Sequence, residues 1–256
     1  MTAVFSDDVL SQNAFLGGKV QLLQPKSGYR AGVDPVLLAA SVEAETGQSV
    51  LELGCGGGQA LLCLGARVSG LALSGVELQE EYADLARRNG DLNGIELSIS
   101  CADLADLPAA LKQQRFDHII ANPPYYRAGA HSQAQDAGRR CALGEATPLR
   151  TWVEVASRRL APKGYFYMIQ KANRLADVIS CFADHLGSLE VLPISAREGR
   201  AAELILVRGR KAGRADLRLH APMLLHAGAH HAGDGPDYRP EVEEILRKGA
   251  ALMWPK

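Results

Sequence analysis

Ser49-Val50-Leu51-Glu52-Leu53-Gly54-Cys55-Gly56-Gly57-Gly58 is a short apolar run closed by glycines, and residues 59–67 continue with apolar positions at helical spacing. A run of that length bounded by glycine reads as a buried strand, so the succession is strand, glycine-rich turn, helix. Outward along the chain, 71–78 (LALSGVEL) is a second strand. It is followed by a helix over 79–93, where Glu80, Glu81 and Asp84 precede Arg87 and Arg88 in the order that complements a helix dipole. Residues 96–101 (ELSISC) are a third strand. The segment FDHIIANPP supplies a fourth, which must end at Ala121 because two prolines cannot continue a central strand. A helix over 148–161 is expected to start with Thr147 as N-cap and Pro148 in its first turn. Then come a fifth strand (164–170), a helix (173–186), a sixth strand (189–195) and a seventh (203–209). Strands alternating with helices argue for an α/β fold with a parallel sheet covered on both faces. Only the polar turn Ala196 to Ala202 separates the last two strands, so they should pair as a hairpin and leave the seventh antiparallel.

The 256-residue chain is 47% hydrophobic and 22% charged, the composition of a soluble globular protein. A single domain over 1–256 is expected, with a lead segment (1–48), a core (49–209) and a C-terminal extension (210–256). No apolar run approaches the ~18 residues of a membrane span, and the start MTAVFSDDVL carries two acids where a signal peptide carries basic residues. A cytoplasmic location without a membrane partner is therefore expected. Cys55, Cys63, Cys101, Cys141 and Cys181 form no CxxC pair and read as reduced, mostly buried thiols. His220, His226, His230 and His231 lack metal-ligand spacing and read as exposed loop residues, so no metal is expected.

Charge divides the chain. Residues 1–125 hold 8 Lys and Arg against 15 Asp and Glu, whereas 126–256 hold 20 against 14. The basic half fits either a polyanionic partner or an ordinary solvated surface. Residues 127–147 are polar, without periodicity and longer than a typical connection, hence functional or mobile. Residues 211–240 are rich in Gly, Pro, His and Arg, and 241–252 (EVEEILRKGAAL) read as a closing helix. No oligomeric state can be assigned.

The turn after the first strand has the spacing E-x-G-x-G-x-G rather than the G-x-G-x-x-G of a dinucleotide fold, because position 59 is Gln. Glycines there let a ligand approach the backbone, and the following helix offers free amides, although a plain tight turn has the same composition. Glu77 ends the second strand, where a carboxylate can accept both hydroxyls of a ribose. Asp103, just past the third strand, is placed to accept from an exocyclic adenine amine. Both fall at the carboxyl edge of the sheet, where open α/β proteins bind ligands.

On these residues the stretch from 49 to about 209 resembles the Rossmann-like class I S-adenosylmethionine-dependent methyltransferases, whose sheet has seven strands with the seventh antiparallel. The resemblance implies S-adenosylmethionine as cofactor, held by Glu52, Gly54, Cys55, Gly56, Gly58, Glu77, Leu78, Asp103, Leu104 and Asn122. Gly54, Gly56 and Gly58 would face its methionine and ribose parts.

Asn122-Pro123-Pro124-Tyr125 follows the fourth strand. A polar residue between an apolar strand and a rigid diproline must find partners. An amine on an sp2 carbon is a poor nucleophile because its lone pair is delocalised. If the Asn122 side-chain oxygen and the Pro123 carbonyl each accept one N–H, the lone pair is redirected toward the methyl, while Tyr125 stacks on the planar group. The sulfonium supplies its own leaving group, which leaves positioning and electrostatics as the main task.

This tetrad is similar to that of amino methyltransferases acting on adenine N6, guanine N2 or glutamine. The lead Gln24-Pro25-Lys26-Ser27-Gly28-Tyr29-Arg30-Ala31-Gly32-Val33-Asp34-Pro35 and the tail Asp234-Gly235-Pro236-Asp237-Tyr238-Arg239-Pro240-Glu241 resemble the bacterial valine-tRNA adenine-N6 methyltransferase family. That resemblance implies RNA, specifically tRNA, as partner and an adenosine beside the anticodon as acceptor. Such a loop base costs less to present than one flipped from a duplex. Tyr29, Arg30, Tyr126, Arg127, Arg139 and Arg140 are the candidate substrate contacts. The other readings are a guanine-N2 ribosomal RNA enzyme, a protein-glutamine methyltransferase, a nicotinamide-dependent oxidoreductase and a non-catalytic nucleotide-binding module. The glutamine enzymes carry a helical recognition domain for which the lead offers little room.

Overall fold

The structure, a computed structural model, describes residues 4–28, 30–125, 147–228, 230 and 237–255. Its centre is β3 (Ser49–Leu53), four of whose five residues are buried, as a strand covered on both faces requires. Chain order then gives α2 (Gln59–Arg67), β4 (Ala72–Glu77), α3 (Glu80–Asn93), β5 (Ser98–Cys101), α4 (Ala109–Gln113) and β6 (Phe116–Ala121). After residue 146 follow α5 (Leu149–Arg159), β7 (Leu160–Lys171), α6 (Leu175–Ala183), β8 (Gly187–Ser195) and β9 (Ala202–Arg210). The sheet runs β5, β4, β3, β6, β7, β9, β8. All these pairings are parallel except those of β9, which is antiparallel to both β7 and β8. The seven expected strands and the terminal hairpin are therefore present. Two further two-residue strands, β10 (Arg218–Leu219) and β11 (Met223–Leu224), pair with β8 and bring the sheet to nine.

The period-two alternation of the strands divides the core into two layers. Val50, Tyr167 and Ile169 face one layer, where Leu37, Leu38, Leu61 and Leu62 pack. Leu51, Leu53, Phe166 and Met168 face the other, against Val153, Ala156, Val178 and Phe182. The Phe166 and Phe182 rings stack with centroids 5.0 Å apart. From β3 the chain proceeds to β4 and β5 on one side and then returns to β6 on the other, so β3 and β6 border the switch point of the topology. Open α/β sheets carry their ligand crevice at that point, beyond the carboxyl ends of the strands.

The lead segment, left without assigned elements by the sequence, forms a hairpin of β1 (Leu10–Phe15) and β2 (Val20–Pro25), then α1 (Asp34–Ser41). Two asparagines of α3 satisfy the free edge of β2. The Gln21 amide donates to Asn93 Oδ1 at 2.8 Å and the Leu23 amide to Asn89 Oδ1 at 2.7 Å.

Three expected boundaries are corrected. Thr147 is not an N-cap: Pro148 occupies that position with extended backbone, and the Thr147 carbonyl accepts from Trp152 Nε1. The helix expected over 173–186 starts with a 3-10 turn and its α-helical part ends at Ala183. The closing helix over 241–252 is shorter. α7 (Pro240–Glu243) and one π turn (Glu244–Lys248) stop at Gly249, whose φ of 70° reverses the chain. The remainder turns back so that Trp254 donates to the Ser41 carbonyl at 2.8 Å. Of the described cysteines, Cys55 and Cys63 are buried, Cys181 is half-buried and Cys101 is exposed, so only half fit the expectation of burial.

Candidate cofactor and acceptor site

Strand register gathers the motifs. Leu53 pairs with both Val76 and Ala121, and Glu77 pairs with Cys101. Gly54, Glu77, Asn122 and Asp103 therefore leave four adjacent strands at one edge. They line a cavity of about 460 Å³ together with Glu52, Cys55, Gly56, Leu78, Leu104, Pro123, Pro124 and Tyr125. Arg30, Asp34, Gln59 and Trp152 also line it.

Glu77 is 7% exposed. Its Oε2 accepts the Gly56 amide at 2.8 Å and its Oε1 the Gln79 amide at 3.0 Å, tying the strand end to the glycine turn. Burial raises its pKa above the ordinary glutamate value despite those amides. Glu52 is more deeply buried, and burial pushes its carboxyl well up, opposed by the Leu61 amide and reinforced by Glu77. Its Oε2 has no hydrogen-bond partner among the described residues. A buried carboxylate oxygen left over in a cavity wall suits a cationic ligand group. The Cys55 thiol is likewise pushed well up, by burial and then by Glu77 and Glu52, so it stays protonated and packs against Gly75.

The three glycines differ. Gly56 has φ +52° and open space beyond its Cα, with only Gln59 Oε1 at 3.5 Å from where a Cβ would stand, so a ligand can reach its backbone. At Gly54 a Cβ would stand 2.5 Å from the Trp152 ring, so that glycine makes room for an indole that itself lines the cavity. Gly58 stands apart from the other two. It does not line the cavity, and its missing side chain instead lets α2 pack on Ala86 and Leu97. Asp103 is exposed on the rim, where its Oδ1 caps the turn Leu104–Asp106 by accepting the Ala105 amide at 2.8 Å.

Asn122 is half-buried, and its side-chain amide makes no hydrogen bond among the described residues. Gln170, fully buried on β7, lies behind the diproline with its Nε2 at 3.4 Å from both the Pro123 and the Pro124 carbonyl. The Tyr125 hydroxyl donates to Asp34 Oδ2, and Lys171 Nζ stands over the Tyr125 ring at 5.1 Å from its centroid. Two restraints thus fix the ring plane.

Arg30 reaches the cavity, but its guanidinium is engaged by the hairpin, donating to Ser11 Oγ, Pro25 O and Asn13 Oδ1 at 2.8 Å each. The other candidate substrate contacts, Tyr29, Tyr126, Arg127, Arg139 and Arg140, and the segment 127–147 apart from Thr147, lie outside the described residues. Sequence reading missed Asp34, Gln59, Trp152 and Gln170. Only Asp34 carried a local signal, an acid directly before a proline at a helix start. His220 and His226 are not free loop residues: they contact Glu190 at 2.9 Å and Asp237 at 2.6 Å. His231 lies outside the described residues. Among the described residues no helix is long and apolar enough to cross a membrane, and no group of three His, Cys, Asp or Glu gathers as for a metal.

Comparison with known proteins agrees with this layout. Residues 31–197 match the family model of the methyltransferase small domain, and the chain belongs to that family. Its class is that of the S-adenosylmethionine-dependent methyltransferases with a Rossmann-like sheet. Among curated proteins it is similar to the tRNA1(Val) (adenine(37)-N6)-methyltransferase of Porphyromonas gingivalis, 32% identical over 164 residues, or 60% of this chain and 64% of that protein. The match thus spans somewhat less than two thirds of that relative. The enzyme of the same name from Actinobacillus succinogenes is 28% identical over 76% of this chain and 82% of its own length. A crystal structure from Agrobacterium tumefaciens, described as a predicted O-methyltransferase, has a TM-score of 0.69 and 26% identity over 86% of this chain and 98% of that one.

Proposed function

We propose that the protein transfers a methyl group from S-adenosylmethionine to an exocyclic amino nitrogen, N6 of an adenosine in a tRNA anticodon loop. The observation that carries the reading is Asn122, which lines the cavity at the strand end next to the glycine turn with its amide unpartnered among the described residues. Bound in the cavity, S-adenosylmethionine would supply an electrophilic methyl carbon, with the neutral thioether left behind as the leaving group.

The chain's own part is to hold and aim. Glu77 receives ribose hydroxyls without surrendering its two backbone amides, since a carboxylate has about four acceptor sites. Glu52 offers its free oxygen to the amino-acid end. Asn122 accepts one acceptor N–H, and the Pro123 carbonyl, fixed from behind by Gln170, accepts the other. The acceptor lone pair is thereby turned toward the methyl carbon. Methyl transfer would exchange the S–C bond for an N–C bond, and the acceptor nitrogen would then lose one proton to water. Tyr125 stacks on the flat base, its tilt fixed by Asp34. The names of the curated relatives support adenine N6 and tRNA as the acceptor.

The test is incubation with radiolabelled methyl donor and, in parallel, total RNA, bulk protein and DNA, followed by nucleoside analysis of the labelled pool. N6-methyladenosine in the tRNA fraction is expected. Label in glutamine or in guanine N2 would replace the reading by one of its alternatives. In a thermal-shift screen S-adenosylhomocysteine should stabilise the protein and NAD should not.

A further inference from the structure

The cavity wall carries four carboxylates, Asp34, Glu52, Glu77 and Asp103, against one guanidinium, Arg30. That balance suits a cationic cofactor and repels the phosphates of the acceptor proposed above. The opposite edge of the sheet has the reverse character. Arg115 precedes β6, Arg158 and Arg159 precede β7, Lys163 lies near the start of β7, and Arg210 and Lys211 end the antiparallel β9. Register brings these positions together, since Phe116 pairs with Leu160 and Tyr165 with Arg210.

Only Arg158 of these six has a carboxylate partner among the described residues, Glu154 at 3.6 Å. Backbone carbonyls hold Arg115, Arg159, Arg210 and Lys211, with Arg210 Nε donating to Lys163 O at 3.4 Å. Arg115 donates to Gln114 O at 3.0 Å, Arg159 to Leu111 O at 3.2 Å, and Lys211 to Ser157 O and Leu160 O at 2.5 and 3.2 Å. Some of this is ordinary capping of helix C-termini. The carbonyl bonds occupy one donor nitrogen each of Arg115, Arg159 and Arg210. The side chains also repel one another: Arg159 has its pKa lowered by burial and then by Arg115 and Arg158, and Lys211 by burial and then by Arg115 and Arg159. An arrangement that costs self-repulsion is relieved by an anion bound across it.

We infer that this amino-edge cluster of Arg115, Arg158, Arg159, Lys163, Arg210 and Lys211 is a docking surface for the phosphate backbone of a folded RNA whose loop reaches the cavity on the opposite edge. The inference rests on the RNA reading of the site. The six residues of β6 separate the two edges by about 17 Å, at roughly 3.3 Å per residue. A hairpin with its loop seated in the cavity and a stem of only about four base pairs leaves little backbone for the far edge, whereas a whole tRNA can lie along both.

The experiment measures, by fluorescence anisotropy against salt, binding of a full-length unmodified tRNA transcript and of a hairpin with about four base pairs. It uses the full chain, the pair Arg115→Glu and Arg159→Glu, and the exposed single change Lys163→Glu, which keeps the test valid if Arg159→Glu misfolds. Binding of the tRNA should weaken at least 10-fold in the pair, with the log–log salt slope falling by about one for each phosphate that is no longer neutralised. Hairpin binding and S-adenosylhomocysteine affinity should stay unchanged, and KM for tRNA should rise with kcat constant. Unchanged tRNA affinity and slope in both variants would overturn the surface. So would an equal weakening on the hairpin, or displacement of tRNA by polyglutamate as effectively as by RNA, which would reassign the surface to an acidic protein. RNA binding that depends on the cluster without any adenosine methylation would sink the acceptor reading and leave the surface standing.

Discussion

The two edges of one sheet carry opposite charge for opposite reasons. At the carboxyl edge buried carboxylates surround a cavity, one with an oxygen left unpartnered among the described residues, and they are expensive to keep there because burial raises their pKa values. At the amino edge the charges are exposed or half-buried and spread over α5, β7, β9 and the adjoining turns. Desolvated charge gives a short-range, orientation-dependent grip on a small ligand, whereas solvated charge attracts a large polyanion with little dependence on its sequence. A protein that must place a cationic cofactor beside a polyanion gains from keeping the two kinds of charge on separate edges.

The largest effect is expected at the carboxyl edge. Asn122→Ala should lower methyl transfer by about 100-fold, the scale of removing one preorganised hydrogen bond, with S-adenosylhomocysteine affinity nearly unchanged in calorimetry. Equal turnover would remove Asn122 from the chemistry. Glu77→Ala should raise the Kd of S-adenosylhomocysteine by roughly 10-fold or more, because its charge-assisted hydrogen bonds disappear. In the unaltered protein that affinity should fall on acidification at a pH above 4.5, the ordinary glutamate value, since the burial-raised carboxyl protonates early. An affinity flat from pH 7 to pH 4 would refute the ribose assignment.

Asp34 and Tyr125 sharpen the comparison further. Asp34→Ala and Tyr125→Phe should each reduce kcat severalfold, and the double variant should be no worse than either, the non-additivity expected of a single hydrogen bond. Asp34→Asn keeps an acceptor and should retain most of the rate. Additive effects would mean that the two side chains act separately.

The smallest effect concerns stability. Glu52 has a folded pKa above its unfolded value, so its contribution to stability is fully present below about pH 4.5 and lost as pH rises through the folded value. Glu52→Gln should therefore raise the melting temperature of the ligand-free protein near pH 7 by roughly 2 °C or more while leaving it unchanged near pH 4. It should weaken cofactor binding at the same time. A lower melting temperature at pH 7 would show that the carboxylate is stabilising after all.

The buried strands and the antiparallel terminal hairpin were legible because β3, β4, β6 and β9 are apolar runs whose ends are set by glycine, proline or polar turns. The Asn122 and Glu77 positions followed from those ends. The chain termini were less legible because tertiary partners decide them. The expected helix over 241–252 gives way where Gly249 reverses the backbone and Trp254 reaches Ser41, a contact 213 positions away in sequence. The β1–β2 hairpin carried a signal in Gly17-Gly18 between two strand-like runs, but its stability rests on asparagines of α3 that no local pattern marks. Gly58 shows what motif reading leaves out: its positive φ and its close approach to Ala86 and Leu97 are packing demands that no local pattern marks.

Asn89 has one more consequence. Fully buried, it holds both the amide and the carbonyl of Leu23 on β2 and, with the same amide nitrogen, the Gly57 carbonyl inside the glycine turn at 2.9 Å. The amino-terminal arm and the nucleoside pocket are therefore mechanically one piece. One side chain thus ties the hairpin to the glycine turn, and Asn89→Ala would release both at once.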